Sequence, residues 1–236
     1  MVGAPATVGH AASLADSCLL RNAWICPEYL STRRQEILDA LSAHIVITVV
    51  SVVIGALVAF PLAVLAYRVG GVRTALLGAT TIIYTIPSLA LFSLLLPFTG
   101  LSRSTVVIGL VLYSLSILLR NMLDGLLGVP RDVLDAARGM GFSANRMLWR
   151  VEVPLAMPVI VAGLRVATVS TVALATVGTI VGNGGLGDLI SDGLGSNFKA
   201  EVLTASVLCV VLAVVFDVAL LGVQRVLTPW RSRRAA

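Results

Sequence analysis

The amino-acid sequence predicts an all-α membrane protein with about five transmembrane helices. Three observations carry that expectation. Hydrophobic residues make up 58% of the 236 residues and charged residues only 12%, with a mean hydropathy of +0.98, whereas an ordinary soluble domain holds about 25% charged residues. Apolar segments of about twenty residues recur, the length that crosses a hydrocarbon core about 30 Å thick at about 1.5 Å per residue. Arginines gather at the ends of alternate segments, which is a topology signal.

Taken in order, residues 1–40 alternate polar and apolar side chains and lack the basic start, apolar run and small-residue cleavage site of a secretory signal, so the first hydrophobic span is expected to direct insertion. Spans are expected near 45–66, 75–98, 104–119, 156–181 and 202–224, the first three without a charged residue. An odd number of crossings puts the termini on opposite sides. Arg68 and Arg73 follow the first span, Arg120, Arg131, Arg138, Arg146 and Arg150 lie between the third and fourth, and Arg225, Arg231, Arg233 and Arg234 form the tail. The other side mixes Arg21, Arg33, Arg34, Arg103 and Lys199 with Asp16, Glu28, Glu36, Asp39, Asp188, Asp192 and Glu201. Because cytoplasmic loops accumulate Arg and Lys, the N-terminus is expected outside and the C-terminus inside. If spans such as 104–119 were core helices of a soluble protein, this asymmetry would be coincidence. The organisation is then an extracytoplasmic segment 1–43, a transmembrane domain 44–224 with a cytoplasmic loop 130–154, and a cytoplasmic basic tail 225–236. The net charge of +5 therefore reads as topology, and no nucleic-acid partner is expected.

Pro87 and Pro97 fall in the second span. Proline removes a helical donor and clashes with the preceding turn, so a break is expected at Pro87. Two readings stay open there: a packing kink, or a lining role in which Tyr84, Pro87 and Ser88 border a water-filled path.

Between the third and fourth spans runs VPRDVLDAARGMGFSANRMLWRVEVPLAMP, which carries helix punctuation. Pro130 suits a first turn, Asp132 and Asp135 favour a helix start, and Gly139 and Gly141 can end it. Ser143 can cap a second helix reaching Trp149, with Pro154 stopping it. Leu134, Met140, Phe142, Met147 and Trp149 among the arginines make a mixed surface suited to a protein cleft; by charge pattern alone, an amphipathic pair lying on anionic headgroups is equally open.

The spacing Asp135-Ala136-Ala137, three residues, Gly141, nine residues, Val151-Glu152-Val153-Pro154 resembles the coupling loop of ATP-binding-cassette (ABC) importer permeases, with Asp135 in place of Glu and Val151 and Val153 in place of Ile and Leu. Asp135 is a methylene shorter than the family's Glu. The resemblance covers about residues 44–222 and extends to the osmoprotectant branch through IYTIPSLALFSLLLPFTGLS, LVLYSLSILLRNMLDGLLGVP, PLAMPVIVAGLRVATV and GNGGLGDLISDGL. Ile117 and Asn183 depart from that branch's usual residues. What the resemblance implies is a type I ABC importer permease fold in the bacterial cytoplasmic membrane. It also implies a second permease subunit, identical or homologous, two ABC ATPase subunits that hold ATP and Mg, and an extracytoplasmic substrate-binding protein. Asp135, Ala136, Ala137, Gly141 and Pro154 are then the coupling residues, the alanines for close helix docking and Gly141 for the bend. Expected substrates are glycine betaine, choline, carnitine or proline betaine.

No Gly-x4-Gly-Lys-Ser/Thr loop is present; GNGGLG at 182–187 lacks the lysine. ATP hydrolysis is therefore expected on a partner, and no cofactor on this chain. Gly184 and Gly185 stand either in a plain loop or in a gate. His10 and His44 have no Cys or carboxylate at metal-ligand spacing, so no metal site is expected; His44 reads as an interfacial residue at the mouth of the first span. Cys18 and Cys26, placed outside, could close a disulfide or remain free thiols, with Cys209 reduced. Arg165 and Asp217 are the only charges of their spans and lie at matching depths, so an intramembrane ion pair is expected, against the alternative of separate neutralisation. An ion-gradient-driven secondary transporter would show an internal repeat and paired broken helices; a membrane scaffold would use the loop only as a tether.

Overall fold

The computed structural model describes residues 17–182 and 184–229. The readings that involve His10, Asp16, Asn183, Arg231, Arg233 and Arg234 lie outside them. Among the described residues the secondary structure is helical, without a strand.

A short helix α1 (Pro27–Thr32) leads into α2 (Arg34–Arg68), a long helix that begins well before the expected start near 45. The second span is two helices, α3 (Gly70–Thr85) and α4 (Ser88–Thr99), bent by 99°. Ile86 and Pro87 are extended between them, as a residue before proline prefers. Pro97 sits inside α4 without ending it. α5 (Arg103–Leu127) outlasts its expected end by two turns. The loop holds α6 (Arg131–Gly139) and α7 (Ala144–Met147), then a π-helical turn (Leu148–Glu152) that continues into α8 (Val153–Ala175) and a 3₁₀ turn (Thr176–Val181). A ten-residue helix α9 (Leu186–Gly195), read from the sequence only as a glycine-rich turn, precedes α10 (Lys199–Leu227). Four helical stretches are long and apolar enough to cross a membrane, five if the bent pair is one crossing.

Small residues bring the helices together, as they must where lipid supplies no hydrophobic force between spans. Ala59, Ala63 and Ala66 of α2 are fully buried against Leu118, Leu119 and Leu123 of α5, in a cluster completed by Ala156, Ile160 and Ala167 of α8. Gly163 of α8 lies so close to Asn121 of α5 that any side chain would collide with it. A second cluster joins Ile47, Phe92, Leu110, Ala175 and Val181. A third ties Cys26, Tyr29 and Ile37 to Leu186, Leu189 and Ala200 at the opposite end from the loop. The core thus runs the length of α2, α5 and α8, while only 6% of the most apolar stretch of α10 is buried.

Candidate coupling and transport site

α6 ends by a motif that its sequence dictates. Gly141 takes φ +78°, its N–H donates to Arg138 O (2.9 Å), and the Phe142 N–H donates to Ala137 O (3.1 Å). That pair of bonds is a Schellman cap, which needs a left-handed residue just past the helix and favours glycine. The turn folds α7 back over α6 around a small core of Val129, Leu134, Ala137 and Met147, flanked by Phe142 and Val151. Arg146 stacks over the Phe142 ring at 4.8 Å.

The five expected coupling residues do not share one surface. Asp135 is exposed and bonds Arg138 one turn on (2.8 Å), bordering an open depression of about 350 Å³ with Arg131 and Leu134. Ala136 is exposed, but Ala137 is 2% exposed and fills the loop's own core. Ala137 therefore packs the loop helices against each other, and of the two alanines Ala136 is the one on the exposed face. Pro130 is the N-cap of α6, not its first turn, and Ser143 holds the N-cap of α7 without a side-chain capping bond. Pro154 does not stop a helix. The path is helical from Ala144 to Val181, because the Val153 N–H reaches back five residues to Leu148 O. That widened turn absorbs a proline whose missing N–H would break a regular helix.

The loop is fastened to the C-terminal end of α2 by contacts the sequence did not reveal. Arg68 Nη2 donates to Asn145 Oδ1 (2.7 Å), and the Tyr67 hydroxyl donates to Glu152 Oε1 (3.1 Å), with Glu152 3% exposed. The Phe60 and Trp149 rings lie 5.5 Å apart. Asn145 and Glu152 stand within the coupling-loop match, but their partners lie 77 and 85 residues away.

Within the spans, Arg165 of α8 and Asp217 of α10 form a bidentate pair, Nε to Oδ1 at 2.9 Å and Nη2 to Oδ2 at 2.7 Å. Their side chains keep 25% and 37% exposure in the single chain. Gln224 Nε2 also donates to Pro158 O (2.9 Å), so α10 is held to α8 by polar contacts at two levels. At the α3–α4 corner Tyr84 and Pro87 are exposed and Ser88 half-buried. The carbonyl freed near Pro87 does not face open space: Ile86 O accepts from the Tyr113 hydroxyl of α5, whose ring meets Tyr84 edge-on at 5.9 Å.

The opposite end of α8 is closed. His44 is fully buried, a correction to the interfacial position read for it, with Nδ1 3.2 Å from Gly184 O and Nε2 3.1 Å from Val172 O. Gly185, at φ +59°, lies so close that a Cβ there would sit 2.8 Å from His44 N. Gly184 N–H donates to Asp188 Oδ1 (3.0 Å). Gly184 and Gly185 are thus packed parts of the fold and not an open loop. Cys18 and Cys26 are joined in a disulfide with Cα atoms 5.4 Å apart, and Cys209 is free. Glu28 lies within 4.8 Å of both sulfurs, but a bonded cystine offers no thiolate to a metal.

Residues 40–233 match the family described as binding-protein-dependent transport system inner membrane component. The chain is 35% identical over 207 residues to the choline transport system permease protein OpuBB of Bacillus subtilis, covering 88% of this chain and 95% of that protein. It is 35% identical to the carnitine transport permease protein OpuCD of Listeria monocytogenes, covering 88% and 93%. The osmoprotectant import permease protein OsmW of Salmonella typhimurium is 35% identical over 192 residues, covering 79% and 89%. An inward-facing structure of the MetNI methionine ABC transporter superposes with a TM-score of 0.74 at 23% identity, covering 80% of this chain and 94% of that one. The fold is accordingly that of a type I ABC importer permease. By the family match and the length of these alignments, the chain belongs to the inner membrane components of binding-protein-dependent transport systems.

Proposed function

We propose that this chain is the permease subunit that forms the translocation path of an ATP-driven importer for a small osmoprotectant such as glycine betaine, choline, carnitine or proline betaine. The observation that carries the reading is the mounting of the α6–α7 loop. It exposes Arg131, Asp135, Ala136, Met140 and Trp149, while its underside is bonded to α2 and runs without interruption into α8. A push on the exposed face therefore moves two spans together. ABC ATPase subunits dock on that face and bind ATP and Mg. A second permease subunit, identical or homologous, completes the path, and an extracytoplasmic binding protein delivers substrate to the end that carries His44 and Gly184. The loop then faces the cytoplasm, with the N-terminus outside and the C-terminus inside. Tyr84, Pro87 and Ser88, at the exposed corner of the broken span, border the path.

The mechanism is alternating access. Closure of the ATPases moves α6 and α7; Gly141 keeps the two at a fixed angle, and the π-helical turn transmits the displacement into α8. The substrate selection of the relatives supports the osmoprotectant class for this chain.

Reconstitution of the permease with its ATPases and binding protein in vesicles tests the reading. Uptake of a labelled betaine or choline that requires ATP and persists without ion gradients is expected. Uptake driven by a sodium or proton gradient without ATP would replace the proposal with a secondary transporter, and binding of ATPases without uptake would leave a scaffold.

A further inference from the structure

The segment before α1 is held on one face and bare on the other. The Cys18–Cys26 disulfide closes it into a loop. Asn22 clamps that loop to the start of α10: its Nδ2 donates to Asn197 O (2.6 Å), and its Oδ1 accepts from the Lys199 N–H (2.9 Å). Lys199 N–H belongs to the first turn of α10 and has no acceptor within the helix, so the clamp also caps α10. Beneath, Cys26 and Tyr29 are buried, and Tyr29 meets Phe198 edge-on at 5.2 Å. The outward face carries Trp24 at 56% exposure, Ile25 at 77% and Leu30 at 48%. A loop closed by a disulfide and clamped at its middle is hindered from collapsing to hide them.

These side chains do not point at the end of the helix bundle. With Leu203, Val207 and Leu208 they line a shallow groove of about 280 Å³ on the flank of α10. Val207 lies eight residues past the start of α10, about 12 Å along its axis, and the exposed wall continues through Val210, Val211, Val214 and Val218. A protein resting on the outer end of the bundle would cover the end, not this flank. Lys199 Nζ sits 5.9 Å over the Trp24 ring, a basic and an aromatic group at one level, which is the composition of the membrane–water boundary.

We propose that the disulfide-closed loop is a membrane-interface anchor: Trp24, Ile25 and Leu30 enter the bilayer at the boundary between headgroups and acyl chains. The upper part of a phospholipid chain fills the groove against Leu203 and Val207. The loop extends the lipid-facing wall of α10 sideways and fixes the depth at which that helix starts.

The test uses the full chain in nanodiscs made with phospholipids brominated near the carbonyl end of the acyl chain, compared with unbrominated lipid. Subtracting Trp24→Ala from the natural protein isolates the Trp24 fluorescence from Trp149 and Trp230. The expected result is a blue-shifted Trp24 signal that brominated lipid quenches. Ile25→Asp, which retains the tryptophan and alters an exposed site, should shift that signal to the red and remove most of the quenching. A Trp24 signal with the emission of water-exposed indole and no quenching overturns the anchor. So does a signal that brominated lipid leaves unchanged but that an added binding protein or a second permease copy shields, since the surface would then be a protein interface.

Discussion

At its N-terminal end the helical path Ala144–Val181 grows out of an exposed loop, whereas at its other end it runs into a buried glycine turn. The loop has its own small core and is fastened by side chains that reach across water-accessible surface, Arg68 to Asn145 among them. A Cβ at Gly139 or Gly141 would meet nothing within 4 Å. The glycine turn is the reverse. A Cβ at Gly184 would lie 2.5 Å from Thr179 N, and one at Gly187 would strike the Thr176 carbonyl. His44 is wedged between two carbonyls. Two carbonyls only accept, so a ring with one N–H satisfies one of them, and burial at this end rests on packing more than on polar bonds. A surface that receives a partner has room left on it; a joint that carries helices past one another has none.

The largest effect is expected midway between the ends, where the Arg165–Asp217 pair ties α8 to α10. Arg165→Met or Asp217→Leu alone strands a charge within the span, while the double change removes both. Each single variant should lower folded yield and thermal stability in detergent more than any substitution at either end of α8, and the double variant should recover much of the loss. Strictly additive losses would mean that the two side chains act separately. A recovered fold without recovered transport would place the pair in the conformational cycle.

At the glycine turn, Gly187→Ala is expected to cost about 1–3 kcal/mol as overpacking against a backbone that cannot yield. Gly139→Ala in the loop should change stability by less than about 1 kcal/mol, in the stabilising direction for a helical site. Comparing their thermal denaturation in one lipid mixture checks the contrast between the ends. Equal losses would erase it. His44→Ala belongs with the first group, since it empties a fully buried site and removes the donor of one of the two carbonyls; about 2–4 kcal/mol is expected from the cavity and the unpaired acceptor together.

Gly141 sharpens the comparison because it is spacious but conformationally demanding. Gly141→Trp should cost about 1–2 kcal/mol through left-handed strain and tilt α7 against α6, so folded permease should still be recovered while ATPase association or uptake is lost. Unchanged association and uptake would refute the coupling assignment.

What the sequence made legible, and what it did not, divides by the range of the interactions involved. Hydropathy located the spans, and the break at Pro87 follows from one residue's chemistry; Gly141 could be read as a bend because its signal lies within α6 and the residues beside it. Arg165 and Asp217 could be placed at one depth by counting along two helices. The continuity through Pro154 was hidden because only the π-helical turn, formed against α2, lets a proline follow without a break. His44 reads as a boundary residue until Gly184 and Val172, 140 and 128 residues away, close over it. The ten residues of α9 include Gly187, Gly193 and Gly195, which masks a short helix whose stability comes from packing Leu186 and Leu189.

The smallest expected loss of stability falls at the bond that fastens the loop. Arg68→Ala removes an exposed side-chain hydrogen bond to Asn145, worth about 0.5–1.5 kcal/mol, and leaves the Tyr67–Glu152 contact and the loop core in place. Folding should hardly change. If the exposed face receives the ATPases and the fastening to α2 passes their movement on, the loop of this variant still docks but carries α2 with it less completely. ATPase binding should then remain normal while substrate moved per ATP hydrolysed falls. Asn145→Ala should reproduce that fall and add little when combined with Arg68→Ala, because both remove one bond. Purified complexes in vesicles, with uptake and phosphate release followed together, give the ratio directly. A ratio that stays at the natural value in both variants would show that force enters through α8 alone, and the loop's attachment to α2 would be a matter of folding.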